Sequence, residues 1–165
     1  MRKIVLSVLV ENSPGVLSRV SGLFTRRAFN IESISAGVTQ NPEYTRITIV
    51  SSGEDDELEQ IRKQLGKLVD VVEIKELPPD ESVCRELVLV KVEADAARRS
   101  QVIAVADIFR AKIIDVAENS LVLELTGNQL KLDAFVSLLK DFRILDLTRT
   151  GITGMLRGSS EVQLS

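Results

Sequence analysis

Twice along this chain the apolar residues switch between the two-residue period of a strand and the longer period of a helix in the same order. A stiff polar stretch, Pro78-Pro79-Asp80-Glu81-Ser82, separates the two runs. In the first run, residues 3–10 (KIVLSVLV) are short, β-branched and nearly all apolar, the pattern of a central strand buried on both faces. From 14 to 28, Val16, Leu17, Val20, Leu23 and Phe24 share one helical face. Residues 30–38 and 45–52 predict two strands joined across Asn41-Pro42, the second alternating Ile47 and Ile49 with Arg46 and Thr48. A second helix follows Gly53 with Leu58, Ile61, Leu65 and Leu68 inward, and 69–77 closes the run as a strand. Beyond the prolines the order returns: strand 85–93, helix 96–111, strands 112–117 and 121–126, a helix opened by Gly127-Asn128, and a last strand over 143–148.

This pattern predicts an α+β chain of two ferredoxin-like βαββαβ domains in tandem, each an α/β sandwich with two helices on one face of a four-stranded antiparallel sheet. The expected division is 1–77, a linker over 78–83, and a second domain over 84–165. In the ferredoxin-like order the first and third strands are central and the second is an edge. A unit this small buries only about 60% of its unfolded surface. Pairing edge strands between two copies would cover the edge and enlarge the core, so a homodimer through the first domain is expected.

Composition removes several function classes. The chain has no histidine and a single cysteine, Cys84, which leaves no internal disulfide, no thiolate cluster, and neither the commonest neutral-pH base nor the commonest transition-metal ligand. Triads and zinc sites would have to be assembled from rarer parts, which lowers the prior for an enzyme without excluding one. A net charge of −3 with 4% aromatic residues argues against nucleic acid as a partner. Ser7 breaks the longest apolar run, so no segment is read as a membrane span or a signal peptide, and a cytoplasmic location is expected. The acidic run Glu54-Asp55-Asp56-Glu57 falls where a helix begins and is read as a complement to its dipole. Thr150-Gly151-Ile152-Thr153-Gly154 is glycine-rich but lacks the lysine of a phosphate loop.

One stretch looks built to receive a ligand. In ENSPGVLSRVSGLFTRRAFNIESIS (11–35), Ser13 is expected as a helix N-cap, Pro14 at the first helical position, and Gly15 as a point of close backbone approach. The N–H groups of that first turn form an anion site. Val16 and Leu17 follow at once and no basic residue lies between Lys3 and Arg19, which favours the carboxylate of a small apolar molecule over a phosphate. Asn30 and Ile31 begin the edge strand and would meet a second copy's 12–17 loop. The expected effector site is therefore Asn12, Ser13, Pro14, Gly15, Val16 and Leu17 from one chain with Asn30 and Ile31 from another, taking a free amino acid.

That stretch resembles the N-terminal ACT domain of the acetolactate synthase (acetohydroxyacid synthase) small-subunit family. The resemblance continues through QIRKQLGKLVDVVEI, LVLVKV, FRAKIIDV and KLDAFVSLLKDFRILDLTRTG. It implies that the chain is non-catalytic, activates a large catalytic subunit of branched-chain amino-acid biosynthesis, and confers feedback inhibition by valine or a related amino acid. It also implies that thiamine diphosphate, Mg and FAD reside on that partner and none on this chain. The sequence departs from the family's pattern at Ala28, Arg143 and Gly154, where many relatives have Gly, Gly and Ala. The alternative reading is an ACT-type amino-acid sensor that serves another enzyme or acts alone. A small anion hydrolase would need an arginine in the 12–17 loop, and an RNA-binding sheet would show aromatic residues where Val5, Leu9, Ile47 and Ile49 stand.

Overall fold

The computed structural model describes residues 1–158. The chain forms two compact units, one of Met1–Cys84 joined by 152–158 and one of Arg85–Gly151.

The first unit has the order β1 (Arg2–Glu11), α1 (Val16–Arg26), β2 (Ile31–Val38), β3 (Tyr44–Gly53), α2 (Asp55–Gly66) and β4 (Val71–Glu76). Its strands lie in the order β2-β3-β1-β4, all antiparallel, with β1 and β3 central and β2 at an edge. Alternation along β1 sends Ile4, Leu6, Val8 and Val10 toward the helices. There they pack with Val20, Leu23 and Phe24 of α1, Ile47 and Ile49 of β3, and Leu58, Ile61 and Leu65 of α2. The acidic run opens α2 as expected: the Glu54 and Glu57 side chains reciprocally accept from each other's backbone N–H, a capping box, with Asp55 and Asp56 in the first turn.

The second unit repeats the plan with β5 (Ser82–Glu93), α3 (Arg99–Phe109), β6 (Lys112–Val116), β7 (Ser120–Gly127), α4 (Gln129–Leu139) and β8 (Ile144–Arg149), its strands ordered β6-β7-β5-β8. Val88, Val90 and Val92 meet Leu121, Leu123, Leu125, Ala106, Leu132 and Phe135 in its core. Asn128 caps α4, its Oδ1 accepting from the Lys131 N–H at 2.9 Å. Arg98 and Arg99 are pins rather than free charges. Arg98 lies 4.7 Å over the Phe142 ring, and Arg99 Nη2 donates to the carbonyls of Ala117 and Glu118.

The domain boundary differs from the expected one. A strand not foreseen in the sequence, β9 (Thr153–Leu156), pairs with β5, which itself begins at Ser82 inside the expected linker. Residues 152–158 accordingly belong with the first unit rather than with 85–151. Three bonds and contacts hold them there. Ser35 Oγ donates to the Ile152 carbonyl at 3.0 Å, and the Arg157 N–H donates to the Glu81 carbonyl at 2.9 Å. A Cβ on Gly154 would stand 2.8 Å from the Val83 carbonyl oxygen and 2.7 Å from Cys84 Sγ, so only glycine fits without a shift. Among the described residues, no helix is long and apolar enough to cross a membrane.

Candidate functional site

The loop after β1 is a tight turn before it is a helix start. The Val16 N–H donates to the Ser13 carbonyl at 3.3 Å, and Gly15 has φ 79° and ψ 4°. Proline second and a left-handed glycine third define a type II turn, which fixes why Pro14-Gly15 occurs here. Helix α1 then begins at Val16 with Gly15 as its N-cap. Two expectations are corrected by this geometry. Ser13 does not cap the helix and Pro14 does not lie in its first turn, because the turn places both ahead of it.

Ser13 is used otherwise. Its Oγ donates to Asp70 Oδ1 at 3.1 Å, and the same carboxylate receives Arg19 through Nε at 2.6 Å and Nη2 at 3.1 Å. Arg19 Nη2 also donates to Ser13 Oγ at 3.3 Å. The Glu11 N–H donates to the Asp70 carbonyl at 2.9 Å, so both backbone and side chain of Asp70 hold the loop. Asp70 is 5% exposed. The Arg19 guanidinium beside it holds its carboxyl below the usual carboxylate range, with help from the Ser13 hydroxyl and against the effect of burial. Sequence reasoning missed this clamp. Arg19 was visible one helical turn after Gly15, but nothing nearby in the sequence pointed to Asp70 as its partner.

The clamp brings a cation to a loop that looked free of one. A Cβ on Gly15 would lie 3.1 Å from Arg19 Nη1, so the guanidinium sits directly against the turn. Asn12, Pro14, Gly15 and Leu17 are exposed, Ser13 is half-buried, and Val16 is buried in the core. The Asn12 N–H donates to the Glu43 carbonyl at 2.7 Å and its side-chain Nδ2 to the Pro42 carbonyl at 3.0 Å, which fixes the carboxamide at the loop's edge.

Asn30 and Ile31 follow a Schellman ending of α1. The Phe29 N–H donates to the Phe24 carbonyl at 3.0 Å and the Ala28 N–H to the Thr25 carbonyl at 3.2 Å, with the Phe24 and Phe29 rings edge to face. Asn30 is therefore not the cap. Its carbonyl accepts from Ser51 Oγ, and the residue is exposed. Ile31 lies half-buried against the core.

Strand register sets these two segments apart. Ile31 is opposite Ser51, and Ser51 is opposite Ile4; at the other end of the sheet Glu11 is opposite Tyr44. Seven residues of strand separate the rows of Ile4 and Glu11, roughly 24 Å at 3.4 Å per residue. One chain alone does not bring 12–17 and 30–31 together. Among the described residues, no group of three or more His, Cys, Asp or Glu side chains is placed to hold a metal ion.

Comparison with known proteins agrees with this architecture along nearly its whole length. Residues 6–73 match the family model described as the AHAS small subunit-like ACT domain, and 85–158 match that described as the small subunit of acetolactate synthase. A probable acetolactate synthase small subunit of Methanothermobacter thermautotrophicus is 51% identical over 156 residues, which are 94% of this chain and 93% of the relative. The acetolactate synthase small subunit of Mycobacterium bovis is 52% identical over 153 residues, 93% of this chain and 91% of the relative. The crystal structure of the acetolactate synthase small subunit from Thermotoga maritima superposes with a TM-score of 0.89 at 40% identity, covering 97% of this chain and all of that one.

Proposed function

This chain belongs to the acetolactate synthase small-subunit family, and from that premise we propose that it activates the catalytic large subunit and passes to it feedback inhibition by valine or a related branched-chain amino acid. The thiamine diphosphate, Mg and FAD of the reaction then sit on the large subunit, in the cytoplasm, and this chain contributes no catalytic group.

The observation that carries the reading is the separation of the two site segments along β2 and β1. Strand β2 is an edge, and it runs parallel to β1. Antiparallel pairing of β2 with the β2 of a second copy would carry Asn30 and Ile31 of one chain to the end of the sheet where the other chain's 12–17 loop stands. The site then exists only in the dimer.

Each group of valine finds a counterpart there. Its carboxylate meets the amino end of α1 at Gly15, beside the Arg19 guanidinium. Its ammonium meets the side-chain oxygens of Asn12 and of Asn30 from the second copy, together with backbone carbonyls. Its short side chain lies against Leu17 and Ile31, with Val16 behind. Because the ligand touches two chains, it changes how they pair, and that difference is the signal a large subunit can read.

Two measurements test this. Calorimetry of the purified chain against valine, leucine, isoleucine, serine and phenylalanine should give binding of a branched-chain amino acid; exclusive binding of serine or phenylalanine defeats the assignment. Co-purification with an acetolactate synthase large subunit should raise the latter's activity, and valine should lower it again.

A further inference from the structure

The sequence placed a serine in the middle of the central strand and paired isoleucines with Arg46 and Thr48 along β3, and neither feature is used by the amino-acid site. Register explains where they go. Ser35, Thr48, Ser7 and Lys75 stand opposite one another across β2, β3, β1 and β4, on the face of the sheet turned away from the helices. A row of three hydroxyls and an ammonium thus crosses all four strands. Arg46 stands in the neighbouring row opposite Gly37 and Leu9.

This polar row is not left in open solvent. Ser7 is 2% exposed and Thr48 is 1% exposed, a costly position for hydroxyls on a sheet face unless the polar groups are used. The 152–158 segment lies along one side, with Ser35 bonded to Ile152 and Gly154 against Leu77. Between that segment and the sheet is a cavity of about 770 Å³, lined by Ser7, Ser35, Arg46 and Lys75 and walled by Leu77 and Met155. This volume falls within the range that holds small organic ligands. None of the residues of 12–17, nor Asn30 or Ile31, lines it.

Charge selects the ligand. Among the described residues, two cationic side chains line the cavity and no carboxylate does. Lys75 Nζ is paired with Glu73 Oε1 at 2.9 Å, while the Arg46 guanidinium donates through Nη1 to Ser7 Oγ and makes no ion pair among the described residues. A guanidinium carries five N–H donors, so it can receive an anionic head group while keeping its bond to Ser7. Gly37 supplies the room. A Cβ there would meet nothing within 4 Å.

We infer that the helix-free face of the first unit's sheet, beneath residues 152–158, is a second ligand site that takes a small organic anion, its head group on Arg46, Lys75 and Ser7 and a short apolar body against Leu77 and Met155. A carboxylate and a phosphate monoester share this chemistry. The site is independent of the amino-acid site, and its ligand competes with no residue of the 12–17 loop.

The test is an amide chemical-shift titration of the full chain with three probes of one apolar body: hexanoate, hexyl phosphate and hexan-1-ol. The anions should shift the amides of Ser7, Gly37 and Lys75 saturably, and the tighter of the two identifies the preferred head group. The neutral alcohol should leave these amides in place. Arg46→Gln should weaken the anion about tenfold, the loss of one charge-assisted hydrogen bond. Gly37→Leu should abolish binding by filling the cavity while leaving the melting temperature unchanged. Should Arg46→Gln fail to fold, Lys75→Met carries the same expectation. Equal shifts from the alcohol, shifts confined to 12–17, no loss in Arg46→Gln or Lys75→Met, or no saturable shift up to about 10 mM overturns the inference.

Discussion

Ala28 holds φ 55° at the position after α1 where a Schellman ending calls for glycine, and Arg110 holds φ 58° after α3. For an L-residue the left-handed region costs on the order of 1 kcal/mol, which the surrounding hydrogen bonds must offset. Ala28→Gly and Arg110→Gly should each stabilise the fold by about 1 kcal/mol, raising the melting temperature by roughly 2–4 °C. An unchanged or lower melting temperature for both would show that these turns carry no strain. At Asp70 the sign runs the other way with pH. Its folded carboxyl titrates below the ordinary range, so it favours the folded state fully above about pH 4 and ceases to as pH falls through the depressed value. Asp70→Asn should therefore lower stability at neutral pH and flatten the acid limb of a melting-temperature profile. An acid limb as steep as that of the parent chain would contradict the clamp.

Among the elements, most of the two sandwiches was legible in the sequence because strands and helices here carry strong, clean periods. Ile47 and Ile49 alternate inward, and Val20, Leu23 and Phe24 form one face of α1, just as their spacing implies. What was not legible depends on pairing across long sequence distances. Strand β9 has four residues, TGML, with no alternation to betray it, and its place is explained by the close approach of Gly154 to Val83 and Cys84 together with the Ser35–Ile152 and Arg157–Glu81 hydrogen bonds. The Arg19–Asp70 clamp was hidden for the same reason, its partners being 51 residues apart. The effector loop was readable in composition but not in conformation: Pro14-Gly15 fits both a helix start and a type II turn, and the left-handed φ of Gly15 decides for the turn. Gly154→Ala should push β9 away from β5, since its Cβ would meet the Val83 backbone oxygen as well as Cys84 Sγ, and the backbone cannot swing aside as a side-chain tip can. Faster amide exchange over 152–156 with the rest of the first unit unchanged is the expected readout, and unaltered exchange there would mean the contact relaxes freely.

For the whole molecule, the edge at β2 decides what the chain can do alone. Ile34 is on the helix side of that edge, opposite Ile49, and is 38% exposed. An apolar residue left half-open at a free sheet edge is what pairing with a second copy would cover. Ile34→Lys should give a folded monomer by sedimentation analysis, and on the proposed function that monomer binds no valine, since each site needs two chains. A monomer that still binds valine with the parent affinity would place the effector site within a single chain.

The return of 152–158 to the first unit also orders events during synthesis. A nascent chain that has extruded Met1–Cys84 has the complete four-stranded sheet but not the segment that bonds Ser35 at its edge and walls the cavity on its far side. That wall is added only after the second unit has been translated, so the earlier half of the polypeptide is completed last.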